Sequence, residues 1–112
     1  MKEVYENYTS TQFDLAESNL SLDQIKSQFN VLEYLYGKHL PDEKDANILD
    51  VGCGYGRIVY WLQQKGYNNV NGVDLSASQI KLGQDIGIQG LVLADAIEYI
   101  NSFKGEFDMV LA

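Results

Sequence analysis

Ile48-Leu49-Asp50-Val51-Gly52-Cys53-Gly54-Tyr55-Gly56-Arg57 is the stretch of sequence that decides the fold of this chain. An apolar run ends in a carboxylate, three alternating glycines follow, and an apolar pattern with helical spacing begins at Ile58. This order predicts a buried strand, a tight turn and the N-terminus of a helix, because a Cβ atom would block such a turn. In open α/β sheets, nucleotide-like ligands bind at junctions of this kind. One glycine-rich turn is a weak signal, and its interpretation depends on the rest of the chain.

The length and composition of the chain indicate one soluble globular domain or part of one. Its 112 residues are 46% hydrophobic and 21% charged, and no uncharged apolar run is long enough to span a bilayer. Lys2 is followed by Glu3 and Glu6, unlike the basic and apolar start of a signal peptide. The one cysteine, Cys53, cannot form an internal disulfide. We therefore predict a cytoplasmic protein without a membrane span.

The net charge of −8 argues against binding to a phosphate backbone. Residues 1–47 carry 4 basic and 9 acidic groups, and residues 48–112 carry 4 basic and 7 acidic groups, so neither part forms a basic stripe. We therefore expect no nucleic-acid partner and favour a small-molecule or protein substrate.

The first part of the chain predicts an arm and a helix. Residues 1–20 are polar and rich in tyrosine, which indicates a loosely attached arm or a short helix. Ser21 and Gln24 have the spacing of a capping box. Apolar residues then recur at helical intervals and predict one amphipathic helix of about five turns. These residues are Leu22, Ile25, Phe29, Leu32, Tyr36 and Leu40. Pro41 and the charged residues after it end the helix.

The second part of the chain alternates between strand and helix patterns. Strands are predicted at 47–51, 69–73, 91–94 and 107–111. Helices are predicted at 57–65, from the cap Ser76 to about 85, and at 96–102. The short connections imply right-handed crossovers and a parallel sheet with flanking helices. Because the chain ends with the fourth strand, we expect a domain truncated there, or self-association through the exposed fourth strand.

Three carboxylates follow three successive predicted strands. Asp50, Asp74 and Asp95 would share one edge of the sheet, where the carboxyl ends of parallel strands meet. A single Asp at such a position is explained by turn chemistry, but three are not. They would repel a pyrophosphate by roughly 4 kcal/mol per close pair, and Arg57 is the one cation near the turn. A ligand with amino and hydroxyl donors, and preferably a positive charge, suits this edge better.

Four segments resemble successive motifs of class I S-adenosylmethionine-dependent methyltransferases. They are Ile-Leu-Asp-Val-Gly-Cys-Gly-Tyr-Gly (48–56), Gly-Val-Asp-Leu-Ser (72–76), Leu-Ala-Asp-Ala (93–96) and Phe-Asp-Met-Val-Leu-Ala (107–112). The resemblance implies a Rossmann-like α/β fold that is truncated after the fourth strand and preceded by an N-terminal helical segment. Residues 1–45 would form the arm and helix. Residues 46–112 would form the S-adenosylmethionine-binding part of an incomplete methyltransferase domain.

The resemblance also implies a role for each cofactor-binding residue. Asp50 and the loop of Gly52, Cys53, Gly54 and Gly56 would hold the methionine end of S-adenosylmethionine. Asp74 would accept both ribose hydroxyls, and Leu75 would pack on the adenine. Asp95 would accept from the adenine amino group, and the backbone N–H of Ala96 would meet a ring nitrogen. The acceptor half and the catalytic residues would lie beyond Ala112, so the chain alone is expected to be inactive.

Other chemically distinctive residues are predicted to be structural. A nucleophilic Cys53 would need a base, and the one histidine, His39, lies a helix and a charged loop away. One Cys and one His at this spacing do not form a metal site. Trp61 is predicted to lie in the core. For Tyr5 and Tyr8, ordinary packing and a cover over the cofactor both remain open, with Tyr8 the candidate lid residue.

The predicted function is methyl transfer to a small metabolite, a lipid precursor or a glycan. One alternative is a dehydrogenase that binds NAD, for which Asp74 would serve as the ribose acid. Its glycine spacing differs from the Gly52-x-Gly54-x-Gly56 found here, and Asp50 would face the pyrophosphate. The other alternative is a non-catalytic, methyltransferase-like interaction module that pairs through its fourth strand.

Overall fold

The computed structural model describes residues 20–112 as an open, fully parallel sheet with helices packed against it. The elements are α1 (Leu22–Lys26), α2 (Phe29–Tyr36), a 3₁₀ turn (Gly37–His39), β1 (Asn47–Val51), α3 (Arg57–Gln64), β2 (Asn69–Asp74), α4 (Ala77–Asp85), β3 (Leu91–Leu93), α5 (Ala96–Ser102) and β4 (Met109–Leu111). The strand order is β3-β2-β1-β4. The predicted α/β fold with a parallel sheet is confirmed.

The strand order places the end of β1 at the centre of the sheet. Asp50 pairs with Gly72 of β2 on one side and with Leu111 of β4 on the other. The chain builds outward from β1 to β3 and then returns to add β4 on the opposite side of β1. Ligands of open α/β sheets bind outside the carboxyl ends of the strands at such a reversal. The topology therefore directs attention to the segment that follows Asp50.

The core is formed by side chains of β1, β2 and the helices α1, α2 and α3. Its largest fully buried side chains are Trp61, Ile25, Leu32, Ile48, Leu49, Leu62, Val59 and Val73. Trp61 is 2% exposed, so its predicted place in the core is confirmed. The ring centroids of Tyr36 and Trp61 lie 6.4 Å apart, and those of Phe29 and Tyr60 lie 5.9 Å apart. These aromatic pairs fix α2 against α3.

The prediction of one continuous N-terminal helix is wrong. The predicted capping box of Ser21 and Gln24 is present, but the helix divides between α1 and α2. The Ser27 hydroxyl donates to the Gln24 carbonyl at 2.6 Å, a bond that competes with regular helical geometry. At Gln28 the backbone leaves ideal helix geometry, with φ −98° and ψ 0°, and its side chain accepts a hydrogen bond from Arg57. A helical period does not reveal this break, because it carries no information about such side-chain hydrogen bonds.

Two predicted strands are shorter than expected. β3 ends at Leu93, because Asp95 caps α5 by accepting from the backbone N–H of Glu98 at 3.1 Å. β4 begins at Met109 instead of at residue 107. Phe107 instead stacks on Phe103, with ring centroids 4.1 Å apart. Side-chain contacts at both places replace strand pairing.

Helix α4 lies directly against the loop that follows β1. A Cβ atom at Gly83 would lie 2.0 Å from the carbonyl oxygen of Tyr55, so this approach requires a glycine. Ser76 caps α4 by accepting from the backbone N–H of Gln79 at 3.3 Å. The helix therefore starts next to Asp74 and packs on the glycine loop, which ties the two segments into one unit.

Candidate cofactor site

The three predicted carboxylates lie at the same edge of the sheet. Asp50 is the last residue but one of β1, and Asp74 is the last residue of the neighbouring strand β2. Asp95 follows β3, the next strand outward. Asp50 and Asp74 are close enough for their charges to repel, since Asp74 raises the pKa of Asp50. This edge, with the segments that follow β1, β2 and β3, is called the carboxyl edge below.

The glycine loop after β1 is tied to β2 by backbone hydrogen bonds. The backbone N–H groups of Gly52 and Cys53 both donate to the Val73 carbonyl, at 2.9 and 3.0 Å. The N–H of Gly54 donates to Asp74 Oδ2 at 2.9 Å. The loop is therefore held in place before any ligand arrives, which lowers the conformational cost of binding.

At Gly52 the loop leaves open space. Its φ is +71°, which favours glycine, and a Cβ atom built there would have no neighbour within 4 Å. The other end of the loop is packed, because a Cβ atom at Gly56 would lie 2.8 Å from Leu91 Cδ2. The backbone at Gly52 is thus bare on a side where a ligand can approach it closely.

The Asp74 carboxylate is oriented by two backbone donors. Oδ2 accepts from the N–H of Gly54, and Oδ1 accepts from the N–H of Ser76 at 2.8 Å. A carboxylate has about four acceptor positions, so each oxygen can accept a further hydrogen bond. The geometry suits two neighbouring hydroxyl groups of one ligand.

Asp50 is a buried carboxyl whose pKa lies near neutral pH. It is 5% exposed, and its pKa is raised from 3.8 to about 7, chiefly by the loss of hydration. Within this net value the Arg57 cation lowers the pKa and the Asp74 carboxylate raises it. A buried carboxylate of this kind attracts an ammonium group more strongly than an exposed one.

Sequence patterns did not single out two polar residues that surround Asp50. Arg57, the first residue of α3, is 5% exposed, and its Nη1 donates to Gln28 Oε1. Tyr36 of α2 lies near both charges, because its pKa is raised by burial and then by Asp50, and lowered by Arg57. The sequence pattern indicated Arg57 only as the one cation near the turn, which disfavours a phosphate ligand. Because Arg57 directly follows the glycine turn, its proximity to Asp50 could have been predicted from the sequence. No pattern in the sequence indicated that Gln28 would contact Arg57.

Large apolar side chains lie exposed beside the outer carboxylates. Leu75 follows Asp74 and is 75% exposed, Leu93 ends β3 at 53%, and Ile97 in the first turn of α5 is 70% exposed. Ala94 donates its backbone N–H to the Asp74 carbonyl at 3.1 Å, which joins this patch to β2. Leu93 and Ile97 were missed because apolar residues in a predicted strand and helix were assigned to packing. The patch offers an apolar surface for a planar ring.

Asp95 and Ala96 lie where the sequence placed them, at the start of α5. One Asp95 oxygen, Oδ1, caps the helix through Glu98. Turn chemistry therefore accounts for part of its role, as it does for many single Asp residues. The capping bond leaves further acceptor positions on the carboxylate.

Cys53 behaves as a structural residue. Burial, together with the negative charges of Asp50 and Asp74, raises the pKa of its thiol well above the ordinary range. A Cβ atom at Gly72 would lie 2.7 Å from Cys53 Cβ, so the side chain fills the space under the turn. A protonated, packed thiol is a poor nucleophile. Within residues 20–112, no group of His, Cys, Asp and Glu residues could hold a metal ion.

Two predicted candidates cannot be located. Tyr5 and Tyr8 lie outside the described residues, so their proposed role as a cover stays a prediction. His39 is exposed at the end of the 3₁₀ turn, beside the last turn of α2.

The site as a whole suits an adenosine-like ligand with an ammonium group. The buried carboxyl of Asp50 matches a cation, the oriented carboxylate of Asp74 matches paired hydroxyls, and the exposed side chain of Leu75 matches a ring. The open space at Gly52 admits close approach of the ligand to the backbone. A pyrophosphate would be repelled by the carboxylates of Asp50 and Asp74.

Comparison with known proteins identifies the family. The family model described as "Methyltransferase domain" matches residues 48–112. The chain is 34% identical over 107 residues to a probable fatty acid methyltransferase of Mycobacterium tuberculosis, and the aligned region covers 92% of this chain and 24% of that protein. It is 33% identical over 72 residues to ribosomal RNA small subunit methyltransferase C of Alcanivorax borkumensis, and this aligned region covers 61% of the chain and 21% of that protein.

A solved structure agrees with the family match. The crystal structure of a SAM-dependent methyltransferase from Archaeoglobus fulgidus is similar with a TM-score of 0.56 and 26% identity, over 79% of this chain and 39% of that one. The chain spans less than a quarter of the length of the two relatives named above. The matched residues 48–112 contain all four motifs. The chain therefore belongs to the methyltransferase domain family, and the predicted S-adenosylmethionine-dependent class is confirmed.

Proposed function

We propose that this chain binds S-adenosylmethionine and forms the cofactor part of an enzyme that methylates a small molecule. The observation that carries this proposal is the carboxyl edge, where two mutually repelling carboxyls flank an open, pre-positioned glycine loop. A ligand that carries a positive charge is favoured at such a place, because it attracts both carboxyls in their charged forms. In this proposal residues 46–112 form the cofactor-binding part, and residues 1–45 form the arm and the N-terminal helices.

The methionine end of the cofactor is assigned to β1 and the loop after it. Asp50 would attract the ammonium group, and the loop Gly52–Gly56 would let the backbone approach the ligand closely. The buried position of Asp50 and the open space at Gly52 support this assignment. Cys53 would contribute only by filling the turn beneath the ligand.

The adenosine end is assigned to the segments that follow β2 and β3. Asp74 would accept from both ribose hydroxyls through the acceptor positions that its two backbone donors leave. Leu75 would pack on the adenine, and its 75% exposure supports this role. Asp95 and the backbone N–H of Ala96 would meet the polar edge of the ring.

When bound, S-adenosylmethionine supplies an electrophilic methyl group on a positively charged sulfur. The residues of this chain bind and orient, and catalysis would come mainly from positioning and from the exclusion of water. No side chain of the described residues is assigned to proton transfer.

The acceptor is proposed to be a small metabolite, a lipid precursor or a glycan. The net charge of −8 supports this choice, because it disfavours binding to a phosphate backbone. The similarity to a protein named as a fatty acid methyltransferase extends over 92% of the chain and is compatible with it. The similarity to a ribosomal RNA methyltransferase covers 61% and gives no support for excluding nucleic acid. That exclusion therefore stays a prediction from charge.

The cellular location is also a proposal. Among the helices of residues 20–112, none is both long enough and apolar enough to cross a bilayer. The single cysteine is compatible with the proposed cytoplasmic location.

Calorimetric titration of the chain with S-adenosylmethionine, S-adenosylhomocysteine and NAD tests the proposal. We expect micromolar binding of the first two ligands and no detectable binding of NAD. Binding of NAD instead would favour the dehydrogenase alternative. Binding of none of the three, together with a dimer by light scattering, would favour an interaction module that pairs through β4.

A further inference from the structure

The break between α1 and α2 connects the N-terminal helices to the carboxyl edge. Gln28 lies at this break, and its side-chain oxygen accepts a hydrogen bond from Nη1 of Arg57, 29 positions further along the chain. The packing of Phe29 on Tyr60 lies one residue after Gln28 and holds α2 against α3. The amide is thus brought to Arg57 by the packing of two helices.

Arg57 transmits this contact to the cofactor site. Its side chain is 5% exposed, as is Asp50, and the two charges attract each other in surroundings with little water. At such sites the interaction between charges is several-fold stronger than at the surface. The Arg57 cation therefore favours the charged form of Asp50 and opposes the effect of burial.

The chemical type of residue 28 matters for this contact. An amide oxygen is a neutral acceptor, so it can orient a guanidinium without cancelling its charge. A carboxylate at the same place would compete with Asp50 for the cation. An apolar side chain of the same size would leave one buried N–H donor without this acceptor.

We propose that Gln28 is a positioning residue that holds Arg57 beside Asp50, so that the Asp50 carboxylate is charged when the ligand's ammonium group binds. The role in ligand binding rests on the proposed function, whereas the effect on Asp50 does not. Gln28 touches neither the ligand nor Asp50 in this proposal and acts only through Arg57.

Four ionisable groups lie around Asp50 in the described structure. Arg57 on α3 favours the charged form, Asp74 on β2 opposes it, and the hydroxyl of Tyr36 on α2 and the thiol of Cys53 lie nearby. Arg57 is the cation of this set. Loosening it leaves burial and Asp74 to act alone, and both raise the pKa of Asp50.

The test is a titration of the Asp50 carboxyl by carbon NMR, without ligand, in four proteins. These are the wild type, Gln28→Met, Gln28→Asn and the control Gln64→Met, which makes the same change as Gln28→Met at an exposed position of α3. The Asp50 signal is assigned by its loss in Asp50→Asn. We expect both Gln28 variants to raise the midpoint by about 0.5 pH unit or more, and the control to leave it unchanged. Gln28→Asn keeps a neutral amide but is one methylene shorter and cannot reach Arg57 in the same way, so it tests the idea even if Gln28→Met does not fold.

Binding of S-adenosylhomocysteine at pH 7 and pH 9 then tests the link to the ligand. A 0.5-unit shift from a pKa of about 7 lowers affinity about two-fold at pH 7 and leaves it unchanged at pH 9. A loss of equal size at both pH values would indicate a merely structural role and overturn the proposal. An unchanged Asp50 midpoint in both Gln28 variants would overturn it too. Absence of wild-type binding would instead contradict the proposed function, and the carbon NMR titration would still decide the role of Gln28.

Discussion

At the amino edge of the sheet, amide side chains donate hydrogen bonds to neighbouring carbonyls, whereas at the carboxyl edge backbone N–H groups donate to the carboxylate of Asp74. Asn47 donates its side-chain N–H to the Glu106 carbonyl at 3.1 Å, and Asn69 donates to the Asp45 carbonyl at 2.8 Å. Gln63, at the end of α3, donates to the carbonyl of Gln89 at 2.9 Å. These bonds link the ends of strands and helices to adjacent loops.

Two aspartates show the difference between the edges most directly. Asp108 at the amino edge accepts the backbone N–H of Asn47 at 2.8 Å, and Asp74 at the carboxyl edge accepts the backbone N–H of Gly54 at 2.9 Å. Both carboxylates thus hold the backbone of a neighbouring segment. Asp74 differs because it accepts a second backbone N–H, from Ser76, and because the carboxyl near it, Asp50, is buried. Asp108 instead lines an open cleft with the exposed carboxylates of Asp42, Glu43 and Asp45. A carboxylate thus becomes a candidate ligand-binding group through its neighbours.

The largest expected effect is the loss of ligand binding when Asp74 is removed. Asp74→Ala should weaken S-adenosylhomocysteine binding about 100-fold, because two charge-assisted hydrogen bonds to the ribose disappear. Asp108→Ala also removes an acceptor of a backbone N–H and should leave affinity unchanged. Calorimetric titration of both variants, with thermal unfolding as a check of folding, tests the comparison. Equal losses in the two variants would mean that the edges do not differ in function.

A further prediction concerns pH. Asp50 has a pKa of about 7, raised by burial, so it is mostly neutral at pH 6 and mostly charged at pH 8. The neutral form does not attract an ammonium group, and affinity for S-adenosylhomocysteine should therefore rise about ten-fold from pH 6 to pH 8. Asp50→Asn should bind weakly with little pH dependence over this range. A wild-type affinity that is flat with pH would contradict the assigned role of Asp50.

A comparison of two glycines with positive φ distinguishes the cost of backbone strain from the loss of space for the ligand. Gly52 and Gly87 both have positive φ, +71° and +102°, and a Cβ atom at either would have no neighbour within 4 Å. Alanine at either position should cost roughly 1–2 kcal/mol of stability through backbone strain. Only Gly52→Ala should also weaken ligand binding, by about five- to ten-fold, because its methyl group occupies the space at the loop. Equal affinities of the two variants for S-adenosylhomocysteine would show that this space is not used.

The smallest expected effect concerns the exposed apolar patch. Leu75→Ser should lower affinity for S-adenosylhomocysteine about three- to five-fold, because roughly 1 kcal/mol of apolar contact is lost. The matched control is Val31→Ser, which makes a similar change at a 57% exposed position on α2. Neither variant should change the unfolding temperature much, since both side chains face solvent in the free protein. An effect of Val31→Ser as large as that of Leu75→Ser would contradict the assignment.

Most of the elements were predictable from short-range patterns. The strand Asn47–Val51, the cap Ser76 and the helix Ala96–Ser102 were found because alternation, capping residues and glycine breaks act within a few residues. The same patterns failed where side-chain contacts accompany a change in the backbone. At Gln28, whose side chain bonds to Arg57, the helix is broken, and at Phe107 ring stacking on Phe103, four residues away, takes the place of strand pairing.

The place of the candidate site also followed from the chain, since carboxyl ends of neighbouring parallel strands share an edge. That one edge would carry Asp50, Asp74 and Asp95 could therefore be inferred without coordinates. Their electrostatic state could not, because hydration and charge pairing depend on which elements pack around each group. The folded chain alone buries Asp50, places Arg57 beside it and brings Gln28 to Arg57.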